Sequence, residues 1–339
     1  QGRDLFRDLC VSAGCTVRVD EMGNMFARRA GVDNTLPPVI AGSHLDTQPT
    51  GGKFDGVYGV LAALEVIRSL NDAGIETRHS LEAVVWTNEE GARFAPAMIG
   101  SGVWSGEFDI EYGHSRMDKQ GNSLGAELKR IAYLGDSPCK AFEVKAAFEV
   151  HIEQGPILEK EGLQIGVLTG VQGMRWYDLV INGQACHAGP TPMEMRRDPF
   201  MGLHRISSKL YKLIESHAPW GRITFGDIKA EPGSRNTVPE KLILSIDLRH
   251  PDEEVLEGID QEMRAIVDEE CGLLDLDGTV NNEWLSPSVK FDSDCITAVQ
   301  NAAGPTFWGT DGQGTRIDLI LVPQSWMPNV LSMNIRKEK

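Results

Sequence analysis

The sequence predicts an α/β protein whose main domain is interrupted by a smaller α+β domain. From about residue 1 to 169, helical segments alternate with short apolar strands, a pattern typical of a mainly parallel sheet. From 170 to 284, longer strands with partial alternation accompany two amphipathic helices, which predicts a separate unit. Residues 285–339 are expected to return to the first domain. Polar residues follow several strands, where α/β sheets usually bind ligands.

The predicted elements follow the spacing of the apolar residues. In the first domain, helices are expected around residues 5–10 and 60–70, the second ending at Gly74. Short apolar segments predict strands over residues 36–41, 81–86 and 148–152. In the inserted domain, the predicted strands cover residues 177–181, 222–228 and 242–248, and the helices cover 200–214 and 255–267.

Composition limits the class of protein and its partners. At 339 residues, the chain is long enough for two buried cores, and its net charge of -16 argues against nucleic acid or anionic membrane as a partner. The six cysteines are scattered without a C-x-x-C pair, which predicts reduced thiols and a cytoplasmic location. No apolar stretch approaches the roughly 18 residues of a membrane span. The chain begins at Gln1 without an apolar signal core, and we expect that its natural start has been lost or trimmed.

The first candidate site follows the apolar segment 36–41. His44 comes at the end of this segment, Asp46 lies two residues later, and Asp55 follows a glycine-rich turn. Transition metals bind such mixtures of imidazole and carboxylate ligands. A solvated turn at the end of a strand would show the same short pattern, so this segment alone does not decide between the two.

Two further polar clusters also end predicted strands. Glu89 and Glu90 are adjacent carboxylates that would repel each other when buried, unless a cation neutralises them. One could then bind the cation while the other accepts a proton. His151 ends the strand at 148–152. A solvated acidic turn and a core histidine would explain these residues singly, whereas their combination with His44 and Asp55 favours a metal site.

The inserted domain offers three further candidates. His187 lies among small residues and prolines. This segment is either only a rigid surface loop, or His187 donates a hydrogen bond to a developing oxyanion. Asn236 is a polar residue at a predicted strand edge. Arg249 could bind a carboxylate through two parallel hydrogen bonds, although a cross-strand ion pair with Asp247 is the more common arrangement.

Six motifs together resemble the di-metal amidohydrolases related to aminoacylase and bacterial carboxypeptidases. The match is closest to the branch that contains N-carbamoyl-L-amino-acid hydrolases, β-ureidopropionase (β-alanine synthase) and allantoate amidohydrolase. The motifs are Gly42–Thr47, Gly52–Gly56, Thr87–Phe94, His151–Pro156, His187–Pro192 and Asp247–Pro251. The resemblance implies a di-zinc exopeptidase-like catalytic domain and a ferredoxin-like inserted domain that forms a homodimer and closes as a lid.

The resemblance also implies two divalent metal ions per subunit, either zinc or manganese, cobalt or nickel. His44 and His151 would hold one ion and Glu90 the other, with Asp55 bridging the two. Asp46 would orient His44 by accepting a hydrogen bond from its ring.

The implied reaction is hydrolysis of the C–N bond of N-carbamoyl amino acids, such as N-carbamoyl-β-alanine or N-carbamoyl-L-amino acids, to amino acid, carbon dioxide and ammonia. Glu89 would act as general base and then general acid. Gln154 would contact the ureido group of the substrate. His187, Asn236 and Arg249 would bind substrate from the inserted domain, with His187 reaching the active site of the other subunit. A metallopeptidase is a less favoured alternative. By the resemblance, the related peptidases use a carboxylate at the ligand position where this chain has His151, and Gln154 also disfavours a peptidase.

The C-terminal region departs from the family pattern. The family takes its last metal ligand from a Ser-Gly-Ala-Gly-His-Asp motif, but this chain has no histidine after His250 and reads Thr310–Arg316 there. A second motif, at Leu331–Asn334, also lacks its histidine. A frameshift over residues 303–339 is one hypothesis, because codons for Gly-Ala-Gly-His read one base later encode Gly-Gln-Gly-Thr. If the tail is authentic, we expect a weak second metal site and a catalytically impaired protein.

Overall fold

The computed structural model describes residues 1–303 and the backbone of residues 318–322. The chain divides into two compact units. The first contains Gln1–Thr169 and the segment that begins at Phe291, and the second is Gly170–Lys290. The inserted unit therefore extends to Lys290 rather than ending at 284, because its last short strand pairs with its first.

The strands are β1 (Thr16–Val19), β2 (Met25–Arg29), β3 (Val39–His44), β4 (Leu81–Trp86), β5 (Ala146–His151), β6 (Gly170–Val171), β7 (Gly173–Asn182), β8 (Cys186–His187), β9 (Arg222–Glu231), β10 (Thr237–Val238), β11 (Lys241–His250), β12 (Asp277–Ser286), β13 (Val289–Lys290) and β14 (Asp318–Val322). The α-helices are α1 (Gly2–Ser12), α2 (Val57–Asp72), α3 (Ile99–Ser105), α4 (Ile110–Ser115), α5 (Leu124–Arg130), α6 (Ile157–Glu161), α7 (Pro199–Ser216), α8 (Glu253–Leu273) and α9 (Ser293–Ala302). Within the described part of the chain, no helix combines the length and apolar character needed to cross a membrane.

The first unit is built on a sheet with the strand order β1-β2-β4-β3-β5-β14. The three central strands β4, β3 and β5 run parallel, while β2 and β14 join them antiparallel on either side. This confirms the predicted α/β class, with the parallel strands at the centre of the sheet. Parallel strands end at the same edge, and His44, Trp86 and His151 are the last residues of their strands.

The central strands are apolar because helices and neighbouring strands bury them. Val84 and Val85 of β4 are almost completely buried. Helix α2 presents Val60, Leu64 and Ile67 to the core that contains Val85, at the spacing of three or four residues that places side chains on one helical face. Helix α2 therefore packs as a layer against the sheet, next to the edge where the parallel strands end.

The second unit has the order β7-α7-β9-β11-α8-β12, and its antiparallel sheet has the strand order β12-β7-β11-β9. Tyr177, Leu179 and Ile181 occupy alternate positions of β7 and are buried in a core shared with α7 and α8. Two split β-α-β units of this kind form the ferredoxin-like arrangement that the resemblance implied.

Gly59, in the first turn of α2, tests how closely this helix packs on the sheet. A Cβ atom there would lie 2.3 Å from the backbone oxygen of Val150 and 2.9 Å from Cβ of Ser43. Because strand backbone cannot move aside, we expect Gly59→Ala to lower stability by about 1–3 kcal/mol or more, seen as a lower Tm in thermal melts followed by circular dichroism.

A matched control is Gly258→Ala in α8, where a Cβ atom would meet nothing within 4 Å. This substitution should leave Tm unchanged or raise it, because alanine is favoured over glycine in helices by up to about 1 kcal/mol. Equal Tm values for Gly59→Ala and the unmodified protein would contradict the close packing of α2.

Candidate metal centre

The candidate ligands meet where the parallel strands end. His44 ends β3, and the loop that follows carries Asp55 to the start of α2. Glu89 and Glu90 lie just after β4, and His151 ends β5. The side chains of His44, Asp55, Glu89 and His151 are buried, and Glu90 is partly exposed. The topology thus brings together five of the residues that the sequence singled out.

The ligand atoms form two overlapping groups. One consists of His44, Asp55 and His151, and the other of His44, Glu89 and Glu90, with the atoms of each group within 4.8 Å of one another. Nε2 of His44 lies 3.8 Å from Oδ1 of Asp55 and 3.5 Å from Oε2 of Glu89. Nε2 of His151 lies 3.0 Å from Oδ1 of Asp55. His44 is therefore the residue that the two groups share.

Backbone contacts determine which nitrogen of each histidine carries the proton. Nδ1 of His44 lies 2.7 Å from the backbone oxygen of Asp46, and Nδ1 of His151 lies 2.9 Å from the backbone oxygen of Ile152. A carbonyl oxygen can only accept, so Nδ1 is the donor in both rings. In the neutral rings, Nε2 then has a lone pair that points towards Asp55 and is available to a metal ion.

This arrangement suits a divalent cation. Two imidazole lone pairs and several carboxylates face one another in the buried centre. All of these groups are acceptors, so they cannot form hydrogen bonds with one another. Among the described residues, Nε2 of His151 and Oε1 of Glu90 are buried without a hydrogen-bond partner. Buried polar atoms without partners are costly, and a cation in each of the two ligand groups would satisfy the atom that belongs to that group. Mixed imidazole and carboxylate ligands fit zinc and other transition metals.

Asp46 ties two loops of the centre together. Its Oδ1 accepts a hydrogen bond from the backbone N–H of Glu89 at 3.2 Å, and its Oδ2 accepts one from the N–H of Glu90 at 3.0 Å. Its carboxylate lies 3.9 Å from Nδ1 of His44, whereas its own backbone oxygen lies at 2.7 Å. The structure thus assigns the contact that orients His44 to the backbone of Asp46, and gives the carboxylate to the Glu89–Glu90 turn.

Close packing fixes the His44 ring in a second way. Gly56 has φ 66°, and a Cβ atom at this residue would lie 2.4 Å from Nδ1 of His44. Only glycine adopts this backbone without strain and leaves room for the ring. The glycine-rich turn seen in the sequence therefore serves to let the loop pass against the histidine.

Two glutamine amides contact the carboxylates of the centre. Nε2 of Gln154 donates to both oxygens of Asp55, each at 3.2 Å. Nε2 of Gln48 donates to Oε2 of Glu90 at 2.9 Å. The predicted substrate contact Gln154 therefore lies at the metal centre, while Gln48 is a neighbour that the sequence did not identify as part of the site.

Glu149 lies beside the centre and was not among the residues that the sequence predicted for it. It is two residues before His151, is buried, and accepts a hydrogen bond from Oγ of Ser43. Burial raises the pKa of Glu149 to about 7. Burial also raises the pKa of Glu89 well above its ordinary value, and the charge of Glu149 contributes most among its neighbours. A glutamate at an alternate position of a buried strand was the available signal.

The remaining predicted residues lie in the second unit. His187 pairs with Thr237 in the β8–β10 ladder, and the N–H of Ala188 donates to the backbone oxygen of Asn236, so His187 and Asn236 lie close together. Nδ1 of His187 accepts from the N–H of Gly189 at 3.1 Å.

Arg249 lies near the C-terminal end of β11, whereas β10 precedes the start of that strand. Within the second unit, Arg249 is therefore separated along β11 from His187 and Asn236. Its guanidinium donates to both carboxylate oxygens of Asp247, at 2.8 and 2.6 Å. The expected ion pair between Asp247 and Arg249 is present, but it joins two residues of β11 rather than residues of neighbouring strands. The C-terminal motifs at 310–316 and 331–334 lie outside the described residues.

Comparisons with known proteins agree with this geometry. The Peptidase family M20/M25/M40 matches residues 40–318. The chain belongs to this family. It is 44% identical over 303 residues to an N-carbamoyl-L-amino-acid amidohydrolase from Rhizobium meliloti, covering 89% of this chain and 73% of the relative. It is 36% identical over 262 residues to an allantoate amidohydrolase from Bacillus subtilis, covering 77% of this chain and 64% of that protein.

The fold agrees as well. The crystal structure of an amidase of the hydantoinase/carbamoylase family from Burkholderia multivorans aligns with a TM-score of 0.82 and 51% identity, covering 89% of this chain and 74% of that one. The chain spans 64–74% of the length of these three proteins. The resemblance inferred from the six motifs is confirmed, and the chain is a member of a hydrolase family.

Metal binding tests the centre directly. We expect metal-free protein to take up zinc, and His44→Ala to weaken binding more than about tenfold, because even outer partners of metal ligands contribute 10- to 100-fold. Competition with a chromogenic chelator gives the affinity, and elemental analysis by mass spectrometry gives the stoichiometry. His204→Ala, on α7 of the second unit, controls for non-specific loss of a histidine. Equal affinity in the two variants would contradict a centre built on His44.

Proposed function

We propose that this protein hydrolyses the ureido C–N bond of N-carbamoyl-L-amino acids in a metal-dependent reaction. Water and the N-carbamoyl amino acid give the amino acid, carbon dioxide and ammonia. The observation that carries the proposal is that the acceptor atoms of four residues form two overlapping groups, which a cation in each would satisfy. The residues are His44, Asp55, Glu90 and His151. The similarity to N-carbamoyl-L-amino-acid amidohydrolases supports the substrate class. The same chemistry extends to N-carbamoyl-β-alanine, the substrate class of β-ureidopropionase.

The chain's own residues divide into ligands and a proton carrier. His44, His151, Asp55 and Glu90 would hold two divalent cations, which would supply Lewis-acid chemistry by lowering the pKa of water and polarising the ureido carbonyl. Zinc, manganese, cobalt and nickel all suit these ligands. The amide of Gln154 donates to Asp55, and we propose that it would also donate to the ureido group of the substrate.

Glu89 is the proposed general base. Its buried carboxyl lies 3.5 Å from Nε2 of His44, at the border of the ligand cluster. Burial raises its pKa, which brings the carboxyl closer to the range where it can take a proton from water and return it to the departing amine. Two hydrogen bonds restrain the backbone of Glu89: its N–H donates to Asp46, and its carbonyl oxygen accepts from the N–H of Met98.

The second unit would supply the substrate contacts and the subunit interface. His187 and Asn236 are proposed to stabilise the developing oxyanion and bind substrate, with His187 acting in the partner subunit of a homodimer. Arg249 would bind the substrate carboxylate by exchanging its bond to Asp247. Closure of this unit as a lid would exclude water during the reaction.

A catalytically impaired family member is the second candidate. The observation that favours it is that no histidine follows His250, whereas the family pattern takes a metal ligand from that region. Such a protein would keep the ligand set around His44 but lose affinity for the second ion.

Ammonia release from N-carbamoyl-L-amino acids, N-carbamoyl-β-alanine and allantoate, with and without a chelator, separates these candidates. We expect chelator-sensitive turnover of the N-carbamoyl compounds. Glu89→Gln keeps the size of the side chain and removes the base, so kcat should fall about 10²- to 10⁴-fold. Glu127→Gln is the control, because Glu127 lies in α5 and pairs with Arg93 and Arg130.

Each outcome has a distinct meaning. Zinc binding without ammonia release from any substrate would favour the impaired family member. Turnover of dipeptides but of no ureido compound would indicate a peptidase instead. Equal kcat values for Glu89→Gln and Glu127→Gln would remove Glu89 from the mechanism.

A further inference from the structure

Two turns with the pattern Asp-x-x-Gly-Asn are built by the same hydrogen bonds. In the first, Oδ1 of Asp20 accepts from the N–H groups of Met22 and Asn24, both at 2.9 Å, and Nδ2 of Asn24 donates to Oδ2 of Asp20 at 2.8 Å. In the second, Oδ1 of Asp118 accepts from the N–H groups of Gln120 and Asn122, at 2.9 and 2.8 Å.

In both turns the asparagine amide also closes on the aspartate, since Nδ2 of Asn122 donates to Asp118 at 3.1 Å. Closing the turn therefore needs only one part of the asparagine side chain. What the rest of that side chain does differs between the two copies.

Asn24 makes contacts that its counterpart lacks. It is completely buried, its Oδ1 accepts from the N–H of Thr87 at 2.9 Å, and its Nδ2 also donates to the backbone oxygen of Gly100 at 2.9 Å. Within the described residues, the side-chain amide of Asn122 reaches only Asp118. Asn24 thus connects its turn to the chain segment that follows β4.

That segment carries Glu89 and Glu90. Thr87 is its first residue, and its backbone oxygen accepts from the N–H of Gly100 at 3.0 Å, so Asn24 and Gly100 hold Thr87 from both sides. Asn88 then adopts φ 54°, a left-handed conformation that is uncommon outside glycine. A turn with such a backbone keeps its direction only if both ends are restrained.

We propose that Asn24 is a positioning residue for the proposed reaction: by holding the backbone of Thr87, it sets where the Glu89–Glu90 turn places its two carboxyl groups. The expected effect on the rate rests on the proposed function, whereas the expected effect on the position of the Glu89–Glu90 turn rests on the hydrogen bonds alone. An error of about 1 Å in placing a catalytic group reduces the rate about 10²-fold. The bonds from Asp46 restrain the far end of the same turn.

The test compares Asn24→Ser with Asn122→Ser, which make the same change in the two matching turns. Serine is too short to reach Thr87, so Asn24→Ser should lower kcat about 10- to 100-fold while KM stays within about twofold. Asn122→Ser should leave both within about twofold. Hydrogen exchange followed by mass spectrometry should show faster exchange over residues 87–98 in Asn24→Ser only.

Zinc affinity is the third measurement, and it should fall in Asn24→Ser because Glu90 is displaced. Unchanged kcat in Asn24→Ser would overturn the proposal, as would lower kcat without faster exchange over residues 87–98. If the unmodified protein turns over no ureido compound, the proposed function fails, while exchange and zinc affinity still decide whether Asn24 positions the turn.

A second variant covers the case in which Asn24→Ser does not fold. Asn24→Asp keeps the size of the side chain and an oxygen in reach of the Thr87 N–H, but removes both amide donors. We expect exchange at Thr87 to remain slow and exchange near Gly100 to rise. Fast exchange at both places, equal to that of a variant with the turn unfolded, would contradict the separate roles of the two amide atoms.

Discussion

The acceptor atoms gathered at the end of the parallel strands repel one another, and the surrounding structure serves to hold them there. Nδ1 is the donor in both His44 and His151, so the Nε2 atom of each ring points a lone pair towards the carboxylate of Asp55. Burial strengthens this repulsion, because little water is present to screen it. A bound cation would convert this repulsion into binding energy, so a metal site is the role that fits the cluster best. Functional sites commonly break the rules of local stability in this way.

The restraints on the cluster act mostly on backbone rather than on side chains. Asp46 joins the loop after β3 to the turn after β4, although the residues it connects are 43 and 44 positions apart in the sequence. Gly56 lets the next part of the same loop pass directly against the His44 ring. These backbone contacts hold the candidate ligands close together, which would prepare the cluster for a cation.

The sequence predicts the buried strands and the types of ligand well, and the through-space contacts poorly. Strand β4 has the predicted bounds because all of it is apolar or buried, whereas β12 is an edge strand with mostly exposed residues and was not predicted. Histidine and glutamate residues that follow predicted strands can be recognised in the sequence as candidate ligands by their residue type. The contacts of Asp46, Asn24 and Glu149 join residues 43 to 106 positions apart, and no local pattern announces such pairs.

The two histidines proposed as metal ligands and the histidine proposed to stabilise the oxyanion have different tautomers, which match their different roles. His44 and His151 donate from Nδ1 to carbonyl oxygens, which leaves Nε2 as an acceptor suited to a cation. Nδ1 of His187 instead accepts from the N–H of Gly189, so in the neutral ring Nε2 carries the proton and can donate to a developing oxyanion. In each case one backbone group sets the choice. The chemistry proposed for each imidazole is therefore prepared by the local fold of its own unit, before substrate or metal is bound.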